Sequence, residues 1–343
     1  MSTDCQQSAI RYSWLVTESP TGDQPILVIL TREGLAPPPN LDRLHQLAQV
    51  RTATSDTLPD ALVNAQVLFL WDYFNPALAT AWPTAHALEW VHVAAAGVDA
   101  VMFPELRDSA IQVTNARGVF DRPIAEFVLA SVLANVKDLP RLYRAKQQRR
   151  WEYRETLSAA GRTALVVGTG GIGRAIARLL TAVGLEVRGA GRTARTDDPD
   201  FGTVIASDDL AAHADWADHL VLVAPLTEQT RGLVDAEVLA AMRPTAQLIN
   251  VGRGELVDEP ALIAALTAGR PAAAALDVFV TEPLPTDSPL WDMPGVQISG
   301  HLSGDVIGWR DTLARQFETN LERWLAGEEL PLVDKQRGYV SRG

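Results

Sequence analysis

A chain of 343 residues, 47% of them hydrophobic, is longer than a single hydrophobic core usually grows, so two packed units are expected. The formal net charge of −12 argues against nucleic acid or an anionic membrane as the main partner, and an anionic ligand would need a local basic pocket. The one cysteine, Cys5, gives no disulfide framework and no thiolate metal site. With the polar stretch around Asp4 and Glu18 and no apolar run of membrane-spanning length, a cytoplasmic protein without a resident metal is expected.

Along the chain, short apolar runs alternate with helical spacing, the pattern of βα units on a mostly parallel sheet. Strands are expected at 25–31, 66–71, 89–93 and 111–114. A long helix is expected from Pro123, where the missing N–H does no harm, toward Gln148, with an interruption at Pro140. Strands follow at 163–167, 185–189, 219–224, 246–251, 273–278 and 296–299, with helices around 172–183, 236–242 and 260–268. Beyond His301, residues 305–326 space Leu313, Phe317, Leu321 and Trp324 by threes and fours, so that segment should lay one apolar face on a core.

Gly168, Gly170 and Gly173 form G-x-G-x-x-G between the strand TALVV and a helix whose one face carries Ile172, Ile176, Leu179 and Val183. In that setting the first glycine makes a tight turn, the second admits a pyrophosphate to the backbone, and the third lets helix pack on strand. The helix N-terminus then favours the phosphates. About twenty residues further on, an NAD site would carry an acid for the adenosine ribose. Here stand Gly191, Arg192 and Thr193, with Arg195 close by. A glycine leaves room and an arginine suits a phosphate, so NADP(H) is expected over NAD(H), through Arg192 and Thr193 with help from Arg195.

Three polar residues end apolar strands: Arg253 in LINVGRGELVDE, Glu282 in ALDVFVTEPLP and His301 in VQISGHLSGD. Ligands of open α/β sheets bind off such ends. With AAAGVDAV (94–101), VTNARGVFDRPIAEFVLA (113–130), the glycine loop, APLTEQTRGLV (224–234) and the tail VDKQRGY (333–339), these motifs resemble the D-isomer-specific 2-hydroxyacid dehydrogenases.

That resemblance implies an α/β fold of two Rossmann-like, doubly wound parallel-sheet domains with the active-site cleft between them. The dinucleotide domain would span 119–301, and the substrate domain 1–118 and 302–343. It implies reduction of a small 2-keto acid to a D-2-hydroxy acid, with His301 as proton donor and Glu282 orienting its ring and favouring the imidazolium. Arg253 would bind the substrate carboxylate and polarise the keto oxygen, with the backbone N–H groups of Ala96 and Gly97 completing the cradle. Gly171 and Ile172 would face the pyrophosphate, Ala224, Pro225 and Thr230 the adenosine and ribose side, and Asp277 the nicotinamide end. Val251 and Gly252 would also line the cofactor site. The helix after Pro123 would pack a homodimer.

Two features depart from the family pattern. Gly300 stands where a proline commonly precedes the histidine, which leaves that hinge less constrained. The stretch Trp71–Asn75 is unusually aromatic, and Trp71, Tyr73 or Phe74 is expected to wall a pocket for an aromatic or bulky apolar keto acid. Related chemistries remain in view: formate dehydrogenases pair the histidine with glutamine, which Glu282 argues against. Phosphite dehydrogenases keep a glutamate, and C-terminal binding protein corepressors use a similar fold as a redox-sensing scaffold.

Overall fold

A computed structural model describes residues 24–335; Cys5, the N-terminal stretch and positions 336–339 of the tail motif lie outside the described residues. The first part of the chain runs β1 (Ile26–Leu30), α1 (Leu41–Leu47), β2 (Gln49–Ala53), α2 (Leu58–Ala61), β3 (Val67–Leu70), α3 (Ala77–Ala81), β4 (Trp90–Val93), α4 (Pro104–Asp108) and β5 (Gln112–Asn115). Its five strands form a parallel sheet in the order β2-β1-β3-β4-β5. Every residue of β3 and β4 is buried, as befits strands covered on both faces.

The chain then enters α5 (Asp121–Val136) and α6 (Leu139–Gln147). The long helical segment expected from Pro123 with an interruption at Pro140 is two helices, broken two residues earlier, at Asp138, whose backbone is left-handed (φ 48°). Pro140 occupies the first turn of α6, where a proline costs no hydrogen bond, so it begins a helix instead of interrupting one.

The second sheet is built from β6 (Thr163–Val167), α7 (Gly171–Ala182), β7 (Glu186–Gly191), β8 (Arg195–Asp198), β9 (Gly202–Ala206), α8 (Leu210–His213), β10 (His219–Leu222), α9 (Ala236–Ala241), β11 (Gln247–Asn250), α10 (Glu259–Thr267), β12 (Ala273–Leu276) and β13 (Val296–Ile298). Its order is β13-β12-β11-β10-β6-β7-β9-β8, parallel except for the β8–β9 pair. Strand order reverses between β6 and β10, so a crevice opens off their carboxyl ends.

The last helix, α11 (Trp309–Leu325), begins four residues later than its periodicity suggests and returns to the first sheet. Phe317 stacks on Phe69 with ring centroids 3.9 Å apart, and Asn40 just before α1 donates to Ala314 O at 3.0 Å. The two chain crossings between the sheets touch each other. A Cβ on Gly304 would lie 2.7 Å from the Phe120 ring, and Phe120 and Ile124 join Leu27 and Phe69 to Val166 and Ile249 in one apolar cluster. Among the described residues no helix is long and apolar enough to cross a membrane, and no three or more His, Cys, Asp or Glu are grouped to hold a metal ion.

Candidate active site

The glycine turn has the geometry its sequence requires. Gly168 takes φ +115°, and a Cβ on Gly173 would fall 1.9 Å from Gly168 O, so nothing larger than glycine lets α7 start there. Gly171 and Ile172 open α7, whose unpaired backbone N–H groups face the crevice side of the turn. A Cβ on Gly170 would meet nothing within 4 Å, which leaves the approach to that backbone open and fits a pyrophosphate. Across the switch point, Ala224 and Pro225 lead into a loop closed by Thr230, which accepts from Thr227 N at 2.8 Å and donates to Pro225 O at 2.7 Å.

At the end of β7, a Cβ on Gly191 would lie 3.2 Å from Thr169 Oγ1, so an acidic side chain there would crowd the glycine loop. Arg192 and Thr193 follow directly. Arg195 is held by its own strand: its Nε and Nη2 both donate to Asp198 Oδ2, at 2.9 and 2.8 Å.

On the opposite side of the crevice, Asn250 ends β11 and shapes the turn that carries the arginine. Gly252 N donates to Asn250 Oδ1 at 3.1 Å, and Asn250 Nδ2 donates to Arg253 O at 2.8 Å; Val251, between them, is buried. Arg253 then reaches from the second sheet to the first. Its Nε and Nη2 grip Asp99 at 3.1 and 3.0 Å, Nη1 donates to Gly252 O at 2.7 Å, and a Cβ on Gly97 would lie only 2.1 Å from Nη2. A side chain at 97 would therefore have to displace the Arg253–Asp99 pair. Its neighbour Ala96 is fixed through Asn115, which donates to Ala96 O at 2.5 Å.

His301 follows β13 in left-handed backbone, φ +53°. Its Nδ1 donates to Glu282 Oε2 at 2.8 Å, while Glu282 Oε1 accepts from Phe279 N at 3.0 Å. Burial alone would raise the Glu282 carboxyl, but the His301 hydrogen bond, the Phe279 N–H and the nearby His301 and Arg253 charges outweigh it and hold the group below the usual carboxylate range. With Nδ1 engaged, Nε2 is the nitrogen left for a reactant.

Asp277, at the end of β12, is fully buried and accepts from Ser299 Oγ (2.6 Å), Leu302 N (2.9 Å) and Ser303 N (3.0 Å), while its carbonyl accepts from His301 N (2.8 Å). The carboxylate is thus spent on the loop that carries the histidine. This constraint replaces the one a proline at 300 would provide, and Gly300 itself has open space around it.

The aromatic stretch divides by residue. Trp71 belongs to the core: it is 3% exposed and its Nε1 donates to Ala36 O at 2.8 Å. Tyr73 lies between Phe74 and Trp309. Phe74, 52% exposed, is the one that meets His301, with ring centroids 5.5 Å apart. Asp99 escaped the sequence reading, although an arginine aimed into a half-buried cleft demands an acid partner, and one stands two residues past Gly97.

A doubly wound sheet with this glycine turn, facing a His–Glu pair and an arginine, defines a nicotinamide-dinucleotide-dependent oxidoreductase. Residues 129–303 match the family profile described as D-isomer specific 2-hydroxyacid dehydrogenase, NAD binding domain. The chain is 34% identical over 248 residues to a glyoxylate/hydroxypyruvate reductase A of Arabidopsis thaliana, covering 71% of this chain and 77% of that protein. Among solved structures, a D-isomer specific 2-hydroxyacid dehydrogenase of Xanthobacter autotrophicus in complex with NADPH and MES superposes with TM-score 0.76 at 34% identity, covering 91% of this chain and all (100%) of that one. An NADPH-dependent glyoxylate/hydroxypyruvate reductase of Sinorhizobium meliloti in complex with NADP and malonate gives TM-score 0.78 at 29% identity, covering 94% and 100%. The chain belongs to the D-isomer-specific 2-hydroxyacid dehydrogenase family and is an NAD(P)-dependent oxidoreductase with two Rossmann-like domains.

Proposed function

We propose that the protein reduces a small 2-keto acid to the D-2-hydroxy acid and prefers NADPH to NADH. The observation that carries this reading is the convergence of Arg253, packed on Gly97 and paired with Asp99, with His301, paired with Glu282. When bound, the dinucleotide supplies the hydride that reaches the keto carbon. Arg253 and the N–H groups of Ala96 and Gly97 hold the substrate carboxylate and stabilise charge gathering on the keto oxygen. His301 Nε2 gives that oxygen a proton, and ionised Glu282 keeps the ring oriented. In the oxidative direction neutral His301 accepts the proton.

The NADPH preference is supported by Arg192 and Thr193 beside the crowded Gly191, and by neighbours solved with NADPH or NADP. Gly168, Gly170, Gly171, Ile172 and Gly173 would hold the pyrophosphate, and Ala224, Pro225, Thr230, Val251 and Gly252 would line the rest of the cofactor site. Asp277 serves the nicotinamide end by holding the His301 loop. Phe74 beside His301 favours a bulky apolar side chain on the keto acid. The dinucleotide domain is assigned to 119–301, and the chain to the cytoplasm. A homodimer is supported by exposed Trp151 (97%), Tyr153 (90%), Tyr143, Leu139 and Leu142 on and after α6.

Cofactor absorbance followed with NADPH and NADH against glyoxylate, hydroxypyruvate, pyruvate and phenylpyruvate tests the reading, with His301→Asn as control. NADPH oxidation lost in the control supports it; activity with NADH alone removes the cofactor preference, and inertness with every pair removes the reductase. Turnover favouring glyoxylate over phenylpyruvate removes the role of Phe74.

A further inference from the structure

The segment after β7 carries a charged cluster that the chemistry at His301 does not use. Arg174, the residue after Gly173 on α7, is only 7% exposed and grips Asp198 with two N–H groups, Nη1 to Oδ1 at 2.8 Å and Nη2 to Oδ2 at 2.9 Å. Arg195 closes on the same carboxylate through Nε and Nη2, and Asp200 N donates to Oδ1 at 3.1 Å. Asp200 takes Arg174 Nη1 and Arg178 Nε, both at 2.6 Å. Two acids are thus shared among three arginines, with Asp198 at the centre, its side chain 3% exposed. The Arg174 hydrogen bonds, aided by Asp200 N and Arg195, outweigh burial and keep Asp198 ionised far below the usual carboxylate range.

This cluster ties together two parts of the crevice. Arg174 belongs to the helix whose N-terminus forms the glycine turn, and Asp198 ends β8, which opens at Arg195, three residues past Arg192. Having spent Nε and Nη2 on Asp198, Arg195 turns Nη1 toward Thr193 O, at 3.5 Å. Three guanidiniums on two carboxylates leave one positive charge in the cluster, beside Arg192 and Thr193.

We propose that Asp198 is a positioning residue for cofactor choice: it holds Arg195 and the 192–195 segment as a preformed receptor for a phosphate monoester on the adenosine ribose. The inference rests on the NADPH reading above and deepens it. An acid close to a phosphate site would ordinarily repel the ligand. Here its charge is consumed by Arg174 and Arg195, so it contributes order to the segment, and a receptor already ordered binds without the cost of ordering long side chains. A dianionic monoester meeting fixed guanidiniums gains charge-assisted hydrogen bonds that a ribose hydroxyl does not.

The test is a binding titration of the full chain with NADPH and NADH, and with 2′,5′-ADP and 5′-AMP as probes of the adenosine end. The unaltered protein should bind 2′,5′-ADP about tenfold or more tighter than 5′-AMP. Asp198→Asn should cost about tenfold for NADPH and 2′,5′-ADP, and less than about twofold for NADH and 5′-AMP, with Asp198→Glu recovering part of the loss. Should Asp198→Asn fail to fold, Arg195→Met, altered from the exposed side of the cluster, should give the same selective loss. Equal losses for both cofactors, or tighter NADPH binding once the acid is neutralised, would overturn the inference, because a merely structural role leaves the selectivity ratio unmoved. Discrimination by the unaltered protein that survives in the variants overturns the inference alone; no discrimination in the unaltered protein overturns the NADPH reading with it.

Discussion

The two ends of the crevice handle charge in opposite ways. At the proposed catalytic end His301 and Arg253 have one acid each, Glu282 at 19 residues and Asp99 at 154 residues along the chain, with side chains 23–36% exposed. At the adenosine end Asp198 and Asp200, two residues apart, serve three arginines and are 3% and 9% exposed. The first arrangement leaves His301 Nε2 and further N–H groups of Arg253 toward the cleft. The second leaves its acids saturated. A group that must pass a proton or clasp a reactant needs spare hydrogen-bonding capacity and access, whereas a group that only maintains a shape is best enclosed.

Breaking the catalytic end should have the largest effect. His301→Asn is expected to lower the reductive kcat by about 10²–10⁴-fold while leaving cofactor affinity nearly unchanged, measured by turnover beside cofactor titration. Arg253→Lys should lower kcat/KM by about 10²–10³-fold, because a point charge cannot hold Asp99 and a substrate carboxylate together. An Arg253→Lys enzyme of near-normal kcat/KM would mean that the pairing with Asp99 is incidental.

Glu282→Gln sharpens the comparison through the ring it holds. Against its burial, the His301 hydrogen bond and the Phe279 N–H keep Glu282 ionised to lower pH than an ordinary carboxylate. An amide of the same shape removes that charge, so kcat should drop by about tenfold with cofactor affinity unchanged, read by turnover beside cofactor titration. An unchanged kcat would detach Glu282 from the reaction.

The adenosine end should show itself in stability more than in turnover. The folded-state value of Asp198 is depressed, so its contribution is complete above the unfolded value of 3.8 and is lost as pH falls below it. Asp198→Asn should therefore remove part of the acid sensitivity between about pH 4 and pH 2, read from urea midpoints across that range. Parallel curves for the two proteins would show that the network adds no pH-dependent stability.

Much of this was legible in the sequence where local pattern and chemistry coincide. The Gly168–Gly173 turn announces itself because an apolar strand precedes it and an amphipathic helix follows. Arg253, Glu282 and His301 stand out as polar residues that follow apolar runs, and they lie three to six residues past the ends of β11, β12 and β13. Strands β2, β8 and β9 were not legible, since the edge segments QVRTA and RTDD carry little apolar periodicity, and β9 is half exposed. Partners fixed only by tertiary contact were hidden too: Asp99 lies 154 residues from Arg253, and Asp277 is 22 residues from Ser299. Trp71 reads like a pocket wall until the Ala36 carbonyl that anchors its indole inside the core is located.

The left-handed backbone at 301 narrows what evolution can place there. Apart from glycine, the residue types that sit easily at positive φ are asparagine, aspartate and histidine, while β-branched or bulky residues are strained. Of these, only histidine has an unperturbed proton affinity matched to neutral pH. Conformation thus narrows position 301 to a short set and acid–base chemistry picks one member of it, so descendants that have lost the reaction should drift there toward asparagine, aspartate or glycine.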